Sequence, residues 1–269
     1  MPTRDSSAIA VDQLVRRFGS VTAVNHLTLS IDRGQVCGLL GRNGAGKTTV
    51  VKILTTLLPP TSGSARVCGY DVLRSPTEVR RLIGYVPQAL SADAELKGYE
   101  NLLVMAKLYD LPAAVRARRI EEALALMGLE HAAQRLVHTY SGGMIRSLEI
   151  AQSTLHRPTV LFLDEPTVGL DPLARQTVWR HIAQLKASQS CTILLTTHYM
   201  DEAEHLCDEV AILDQGRLVA SGAPDALKHA LGPNATLDEV FAHFTQAEAE
   251  VAGAYDETSR TRHVADRLG

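Results

Sequence analysis

The sequence predicts an α/β fold that combines a mainly parallel sheet, an antiparallel β subdomain at the N-terminus and an inserted helical subdomain. Segment 9–31 alternates apolar and polar residues, which is typical of half-exposed strands. Segment 90–140 has helical periodicity and no strand-like run, so we expect a helical insertion there. Four near-continuous apolar runs are typical of parallel strands that helices cover on both faces. These runs are 36–40, 160–163, 192–195 and 210–213.

Turn signals and short periodic segments place the elements between these strands. A helix is expected at 49–54, and the Pro and Gly residues of 59–63 stop it. Short strands are predicted at 64–70 and 83–86. Near the end of the sheet, the Asp-Gln-Gly-Arg sequence of 214–217 predicts a hairpin turn.

Two longer helices have clear sequence signals. Ile120, Leu124 and Met127 fall at i, i+4 and i+7, which predicts one buried stripe on a helix of the insertion. Asp171 and Pro172 supply a helix N-cap and a first-turn proline before the next predicted helix. The chain therefore alternates strands and helices in the way that a parallel sheet requires.

The C-terminal segment carries one further helix signal. Residues 236–239, Thr-Leu-Asp-Glu, form a capping box. The apolar face of the helix that it opens consists of Leu237, Val240, Phe241 and Phe244. We expect the last twenty or so residues to be mobile unless a partner holds them.

Composition narrows the classes of function. The 269 residues are enough for one large α/β domain, and the formal charge of −3 gives no basic field that would attract nucleic acid. No apolar run approaches the roughly 18 residues that cross a bilayer, and the first residues lack the apolar core of a signal peptide. We therefore expect the chain to stay in the cytosol. The four Cys and ten His residues show no ligand-type spacing, so Mg²⁺ bound with nucleotide is the metal we expect.

A glycine-rich loop follows the first buried strand and predicts nucleotide binding. It reads Gly41-Arg42-Asn43-Gly44-Ala45-Gly46-Lys47-Thr48. Glycines allow backbone N–H groups to surround phosphates, Lys47 adds positive charge for the β- and γ-phosphates, and the Thr48 hydroxyl can ligate Mg²⁺. The helix that continues from Thr49 completes the strand–loop–helix context that this motif requires. The predicted core is therefore a P-loop NTPase core.

The loop alone does not distinguish a kinase, a GTPase and a transport ATPase. A second apolar strand, 160–163, ends in Asp164 and Glu165. Asp164 is placed to hold Mg²⁺, directly or through water, and Glu165 is suited to polarise the attacking water. The alternative is that this Asp-Glu pair simply caps a helix, but the buried strand before it and Pro166 after it favour the catalytic interpretation.

Two weaker signals complete the set. Ser141, Gly142 and Gly143 open a helix and form a second candidate anion site, although Ser-Gly-Gly is often only a turn. His198 follows a predicted strand and could place an imidazole near the γ-phosphate, although a lone His is usually structural.

Taken in order, these motifs resemble the ATP-binding subunits of ABC transporters over about residues 9–225. The resemblance implies that Phe18 stacks on adenine and that Gln88 touches Mg²⁺ and bends toward a membrane partner. It implies that the Ser-Gly-Gly signature binds the γ-phosphate of ATP held by a second subunit. It also implies that segment 168–171 is a dimer-contact loop and that His198 is a switch histidine.

The resemblance extends to partners and domain layout. It implies ATP and Mg²⁺ as cofactors, a head-to-tail dimer with a second copy, and a separate multi-helix permease that holds the chain at the cytoplasmic side of the cell membrane. Residues 1–225 are expected to form the ABC ATPase domain, with the helical subdomain inserted at about 90–148. Residues 226–269 are expected to form a tail with one short helix.

Details of the motifs resemble the drug- and antibiotic-export branch, of which the daunorubicin/doxorubicin-resistance ATPases are the type. This resemblance is carried by the Ser-Gly-Gly-Met signature, the Glu-Pro-Thr-Val-Gly-Leu-Asp-Pro sequence from Glu165 and the Thr-Leu-Asp-Glu-Val-Phe tail. Departures from the usual pattern lie in and beside the signature, at Tyr140, Met144, Ile145, Ser147 and Gln152. None of them removes a phosphate ligand, so we expect nucleotide binding and hydrolysis to persist.

Two other functions remain to be tested against this one. A soluble ABC ATPase that acts on nucleic acid or ribosomes usually carries a coiled-coil insertion or two ATP cassettes, and this sequence has neither. A catalytically dead regulatory subunit is disfavoured because Lys47, Asp164, Glu165 and His198 are all present.

Overall fold

The computed structural model describes residues 7–189 and 191–245. Within these residues the strands fall into two sheets. They are β1 (Ser7–Phe18), β2 (Val21–Asp32), β3 (Val36–Leu40), β4 (Ser62–Val67), β5 (Tyr70–Asp71), β6 (Ile83–Val86), β7 (Val160–Asp164), β8 (Thr192–Thr197), β9 (Glu209–Asp214) and β10 (Arg217–Gly222).

Helices cover these sheets and fill the segment between β6 and β7. They are α1 (Lys47–Leu54), α2 (Pro76–Leu82), α3 (Gly98–Leu108), α4 (Ala113–Leu126), α5 (Gly142–Thr154), α6 (Pro172–Gln189), α7 (Met200–Leu206), α8 (Pro224–Leu231) and α9 (237–245). Among the described residues, none of these helices combines the length and the apolar composition needed to cross a bilayer.

The larger sheet has the order β10-β9-β3-β8-β7-β6 and is parallel except at its β10 edge. Every residue of β3, β7 and β8 is buried, which explains why these strands lack alternation in the sequence. The smaller sheet has the order β2-β1-β4-β5 and is antiparallel. The predicted α/β fold class is confirmed. In such parallel sheets, loops after the carboxyl ends of the strands form the binding crevice.

The insertion between β6 and β7 is helical, as predicted. Ile120, Leu124 and Met127 all lie in the core that α3, α4 and α5 share. This core continues beneath β7 and β8 through Leu161, Leu163 and other buried residues, so the insertion packs directly against the parallel sheet. The packing fixes α5 and therefore the Ser-Gly-Gly segment at its start.

The C-terminal part contains one helix more than we expected. The capping box at the start of α9 is present, with Thr236 N donating to Glu239 Oε2 at 2.9 Å and Glu239 N donating to Thr236 Oγ1 at 3.2 Å. Leu237 and Val240 are buried against β9 and α7. Helix α8, which starts at a first-turn proline, was not predicted. The last twenty residues, which we expected to be mobile, lie outside the described residues.

Candidate functional site

The glycine-rich loop joins the carboxyl end of β3 to the first turn of α1. Gly46 adopts a φ of 102°, and a Cβ at this position would overlap the carbonyl oxygen of Ala23 on β2. The loop is also tied to the hairpin after β9, because Gly216 N donates to Ala45 O at 3.1 Å. Strand β2 and the hairpin therefore leave room only for glycine at position 46 and hold the loop in place.

Lys47 is buried at the base of this loop, with 4% of its surface exposed. Its Nζ donates to Gly41 O at 2.7 Å and to Arg42 O at 3.3 Å. The same Nζ lies 3.2 Å from Glu165 Oε1. The ammonium group is thus held by carbonyl and carboxylate oxygens, which are the type of partner that phosphate oxygens can replace.

Asp164 lies at the end of β7 and faces the helix that starts at the loop. Its Oδ1 accepts hydrogen bonds from Thr48 Oγ1 at 3.1 Å and from Thr196 Oγ1 at 2.6 Å. Its Oδ2 is buried and has no hydrogen-bond partner within the described part of the chain. A buried carboxylate oxygen without a partner, next to a threonine hydroxyl, suits Mg²⁺, which prefers oxygen ligands.

Glu165 is the next residue and has a left-handed backbone, with a φ of 49°. Its N–H donates to both the carbonyl oxygen (3.1 Å) and Oγ1 (2.9 Å) of Thr196, which hold this strained conformation. Its Oε2 accepts from Gln88 Nε2 at 3.4 Å and lies 3.4 Å from His198 Nδ1. Nδ1 itself makes no hydrogen bond with the described residues. The Glu165 carboxylate therefore lies within 3.4 Å of Lys47, Gln88 and His198, three residues that the sequence predicted for the site.

Lys47, Thr48, Gln88 and Glu165 line one open cleft of about 430 Å³, whereas Asp164 and His198 lie behind its lining and contact Thr48 and Glu165. The cleft is lined by Ala23, Arg42, Asn43, Gly44, Gly46, Lys47, Thr48, Thr49, Gln88 and Glu165. The cleft thus lies at the carboxyl ends of the parallel strands. It brings together residues of the glycine-rich loop, α1, the segment after β6 and the end of β7. Their backbone donors, the Lys47 cation and the Glu165 carboxylate, with Asp164 next to Thr48, form the kind of site that can bind a triphosphate and position a water molecule.

Phe18 lies outside the residues that line this cleft. It ends β1, and 46% of its surface is exposed. The guanidinium of Arg16 lies over its ring, 4.5 Å from the centroid. An exposed aromatic ring supported in this way is suited to stack on a nucleotide base, but the structure does not bring it into the phosphate cleft.

The Ser-Gly-Gly segment also lies outside the phosphate cleft. Ser141 caps α5 by accepting a hydrogen bond from Met144 N at 3.3 Å. Gly143 packs so closely on α6 that an added Cβ would lie 2.9 Å from Ala174 Cβ. Ser141 and Gly143 line a separate cavity that includes Asp171. Among the described residues, the Ser-Gly-Gly segment and the glycine-rich loop therefore line separate cavities that share no residue.

Tyr140, the departure just before the signature, is buried and accommodated by Gly98. Its hydroxyl donates to Ala132 O at 2.7 Å, and an added Cβ at Gly98 would overlap that hydroxyl. Burial raises the pKa of this phenol above its usual value of 10.0. Arg135 lies over the ring at 5.8 Å and thus covers its outer face.

Two residues near the site were not found from the sequence. Thr196 bonds to both Asp164 and Glu165, and its only signal is that it is a polar residue within an apolar strand. Glu202 on α7 is fully buried and accepts from Thr167 Oγ1 at 2.7 Å and from Trp179 Nε1 at 2.9 Å. Burial raises the pKa of the Glu202 carboxyl above its usual value of 4.5. Glu202 thereby connects the loop after β7 to the helix that follows His198.

The fold and the phosphate cleft define the class of this protein, a nucleotide-binding ATPase of the P-loop type. The family model described as ABC transporter matches residues 24–168. Over 250 residues the chain is 44% identical to the daunorubicin/doxorubicin resistance ATP-binding protein DrrA of Streptomyces peucetius, covering 93% of this chain and 76% of that protein. The chain therefore belongs to the ABC transporter family, as an ATP-binding subunit that hydrolyses ATP in transport.

Other similarities agree with this assignment. The chain is 42% identical over 225 residues to the Nod factor export ATP-binding protein I of Ralstonia nicotianae, covering 83% of this chain and 70% of that protein. The solved structure of an ATP-binding subunit of an ABC transporter superposes with a TM-score of 0.78 at 32% identity, covering 89% of this chain and all of the other. Clostridium perfringens cbiO1, which is part of the ABC transporter complex cbiONQ, superposes with a TM-score of 0.77 at 27% identity, covering 82% and 90%. These relatives do not support the nucleic-acid alternative.

Proposed function

We propose that two copies of this chain close head to tail around two ATP molecules and thereby power a separate multi-helix membrane permease. The permease would export a drug-, antibiotic- or lipid-like molecule. The names of the relatives support this direction, since they concern daunorubicin resistance and Nod factor export. The membership of cbiO1 in the cbiONQ complex supports an assembly with other subunits. The chain would then lie at the cytoplasmic side of the cell membrane, attached through the permease.

One structural observation supports the proposed head-to-tail dimer. The Ser-Gly-Gly segment and the glycine-rich loop line separate cavities of one chain, yet each lies at the start of a helix, where backbone N–H groups can bind phosphate. A second copy could place its Ser141, Gly142 and Gly143 against the γ-phosphate of ATP bound at the loop of the first. Two equivalent composite sites follow from the symmetry of such a pair. Contacts from both chains to one phosphate would close the pair, and cleavage of that phosphate would release it.

The residues of the cleft take separate roles in binding. Lys47 would exchange its bonds to Gly41 O, Arg42 O and Glu165 for the β- and γ-phosphate oxygens. Arg42, Asn43, Gly44, Ala45, Gly46 and Thr49 would surround the phosphates with the loop backbone and the start of α1. Phe18 would support the adenine ring from outside the cleft.

Mg²⁺ would be held by Thr48 Oγ1, Asp164 and Gln88. When bound, the metal neutralises charge that develops on the phosphate oxygens. Within the chain, Thr196 would keep Asp164 oriented through its 2.6 Å hydrogen bond. The unpaired Oδ2 of Asp164 leaves one oxygen free for this purpose.

Glu165 would act as the general base toward the attacking water. Its Oε2 already lies near Gln88 Nε2 and His198 Nδ1, so the two neighbours can orient the carboxylate and the water. His198, with its ring packed on Tyr199 at 4.1 Å, would then contact the γ-phosphate as the cleft closes.

Phosphate release by the purified chain, supplied with ATP and Mg²⁺, tests this function. Lys47→Ala should abolish turnover, because the cation at the phosphates is lost. Lys52→Ala is the matched control, since Lys52 lies on the same helix and is exposed. Equal turnover in Lys47→Ala and the parent would refute the assignment of the cleft.

Copurification tests the partner. The tagged chain, expressed from its natural source, should bring down a multi-helix membrane protein rather than RNA or DNA. Cells that express both proteins should accumulate less of a fluorescent anthracycline than cells that carry the Lys47→Ala chain. Recovery of nucleic acid in place of a membrane protein would favour the alternative function.

A further inference from the structure

Helix α5 carries a buried ion pair that the chemistry above does not use. Arg146 and Glu149 lie one turn apart, just after the Ser-Gly-Gly segment, and their side chains are 3% and 2% exposed. Arg146 Nη1 lies 3.0 Å from Glu149 Oε2. Two charges buried this deeply need further hydrogen-bond partners, and both find them in the same loop.

Arg146 holds the beginning of the loop that follows β6. Its Nη1 donates to Pro87 O at 2.7 Å, and its Nη2 donates to Gln88 O at 2.8 Å. The planar guanidinium of Arg146 thus donates hydrogen bonds to two successive carbonyl groups, one of which belongs to Gln88 itself. This fork geometry fixes direction as well as distance.

Glu149 holds the other end of the same loop. Its Oε1 accepts hydrogen bonds from Ser91 N, from Ser91 Oγ at 3.1 Å and from Ala92 N at 3.3 Å. Residues 88–91 are otherwise exposed. Arg146 and Glu149 therefore hold the two ends of the exposed loop that follows β6. Gln88, near the first end of this loop, lies between the ion pair and the nucleotide cleft.

The side chain of Gln88 continues the connection into the cleft. Its Nε2 donates to Glu165 Oε2 at 3.4 Å, and Glu165 Oε1 lies 3.2 Å from Lys47 Nζ. A continuous set of contacts therefore joins the first turns of α5 to the groups that would contact the γ-phosphate and the attacking water. A rotation of α5 would move the backbone of Gln88 with it.

We propose that Arg146 and Glu149 are positioning residues, which set Gln88 at the nucleotide cleft and make its position depend on the orientation of the signature helix. Neither residue touches nucleotide in this proposal, so they act only through Gln88. The inference depends on the proposed function, because it gives Gln88 a role in hydrolysis. An ion pair is not required here for stability alone, since well-packed apolar pairs often replace buried ion pairs without loss.

A double-mutant cycle on the full chain tests the proposal. Arg146→Met alone would leave Glu149 as an unpaired buried charge and could unfold the protein, so the informative variant is Arg146→Met/Glu149→Leu. It should keep the parent's KM for ATP within about twofold but lower kcat roughly 10- to 100-fold, as a small misplacement of a catalytic neighbour does. Gln88→Ala should lower kcat similarly. Combining all three changes should lower kcat no further than Gln88→Ala alone.

A matched control and a structural readout separate the possible outcomes. Arg118→Met removes an exposed arginine from α4 and should leave both constants unchanged. Hydrogen exchange of the loop amides in the nucleotide-free chain should be faster in Arg146→Met/Glu149→Leu, whereas exchange in the glycine-rich loop should not change. Arg146→Lys keeps the charge without the fork and should restore part of the lost kcat relative to the apolar pair.

Three results would overturn the proposal. They are parent-like kcat in the apolar-pair variant, losses that multiply with that of Gln88→Ala, and unchanged exchange of the loop amides. If the parent hydrolyses ATP and Gln88→Ala is slow, any of these results refutes the positioning role and leaves the proposed function intact. A parent-like kcat in Gln88→Ala also refutes the positioning role, whereas a parent that does not hydrolyse ATP refutes the proposed function and the positioning role with it.

Discussion

Gly98→Ala gives the sharpest test of how the chain accommodates Tyr140. An added Cβ would overlap the Tyr140 hydroxyl and lie 3.2 Å from Cζ, so the ring must move and its 2.7 Å bond to Ala132 O must lengthen. Overpacking costs about 1–3 kcal/mol, and the lost hydrogen bond costs about 0.5–1.5 kcal/mol. Alanine gains up to about 1 kcal/mol over glycine in a helix. We expect a net loss of about 0.5–4.5 kcal/mol in the free energy of unfolding.

The same substitution should no longer destabilise the protein once Tyr140 is replaced by leucine. Leucine has neither the hydroxyl nor Cζ, and the next atom near the added Cβ is Ala133 O at 3.6 Å. The Ala132 carbonyl keeps a partner, because Arg135 N also donates to it at 2.8 Å. In the Tyr140→Leu background, Gly98→Ala should therefore be neutral or stabilising by up to about 1 kcal/mol.

Urea unfolding at equilibrium, followed by circular dichroism and by fluorescence of the single tryptophan, measures all four proteins of this cycle. The coupling between the two positions should be about 1.5–4.5 kcal/mol, because the overpacking and the lost hydrogen bond occur only with Tyr140 and the helix term cancels. An equal cost of Gly98→Ala in both backgrounds would show that Tyr140 is not what excludes a side chain at position 98.

Further predictions concern the cleft and the buried carboxylate of α7. Glu165→Gln should slow phosphate release by about 10²–10⁴, or about 3–5 kcal/mol in the barrier, without weakening ATP binding; parent-like turnover would exclude Glu165 as the base. Asp164→Asn should raise the Mg²⁺ concentration for half-maximal turnover at least about tenfold, and an unchanged Mg²⁺ titration would remove Asp164 from the metal site. Burial raises the pKa of Glu202, so the native state holds this proton more tightly than the unfolded state, and the stabilisation is lost as the pH rises above 4.5. The unfolding free energy of Glu202→Gln relative to the parent should therefore increase with pH, and a constant difference would contradict the raised pKa.

The fold could be predicted where local chemistry determines structure. The strands of the parallel sheet appear as apolar runs because both of their faces are buried, as all five residues of β3 and of β7 show. The glycine-rich loop could be found because its chemistry lies within eight consecutive residues. Helix α2 was missed because it is a short helix with one buried residue, Val79, and hence no periodic stripe.

The rest depends on contacts between distant segments. Arg146 and Glu149 look like an ordinary solvated i, i+3 pair in the sequence, whereas they are buried because a loop 58 residues away in sequence covers them. Thr196 looks like any polar residue of a strand until β8 is seen to lie beside β7, where its hydroxyl reaches Asp164. The signature segment presents a different problem, because its proposed ligand belongs to another copy of the chain.

The size of the Glu165→Gln chain in the presence of ATP and Mg²⁺ tests the central claim most directly. Sedimentation should show a single chain without nucleotide and with ADP, and a species of about twice that mass with ATP. Ser141→Arg in the same background should still bind ATP but remain a single chain. A Glu165→Gln protein that holds ATP tightly yet sediments as one chain would contradict a nucleotide site shared between two copies.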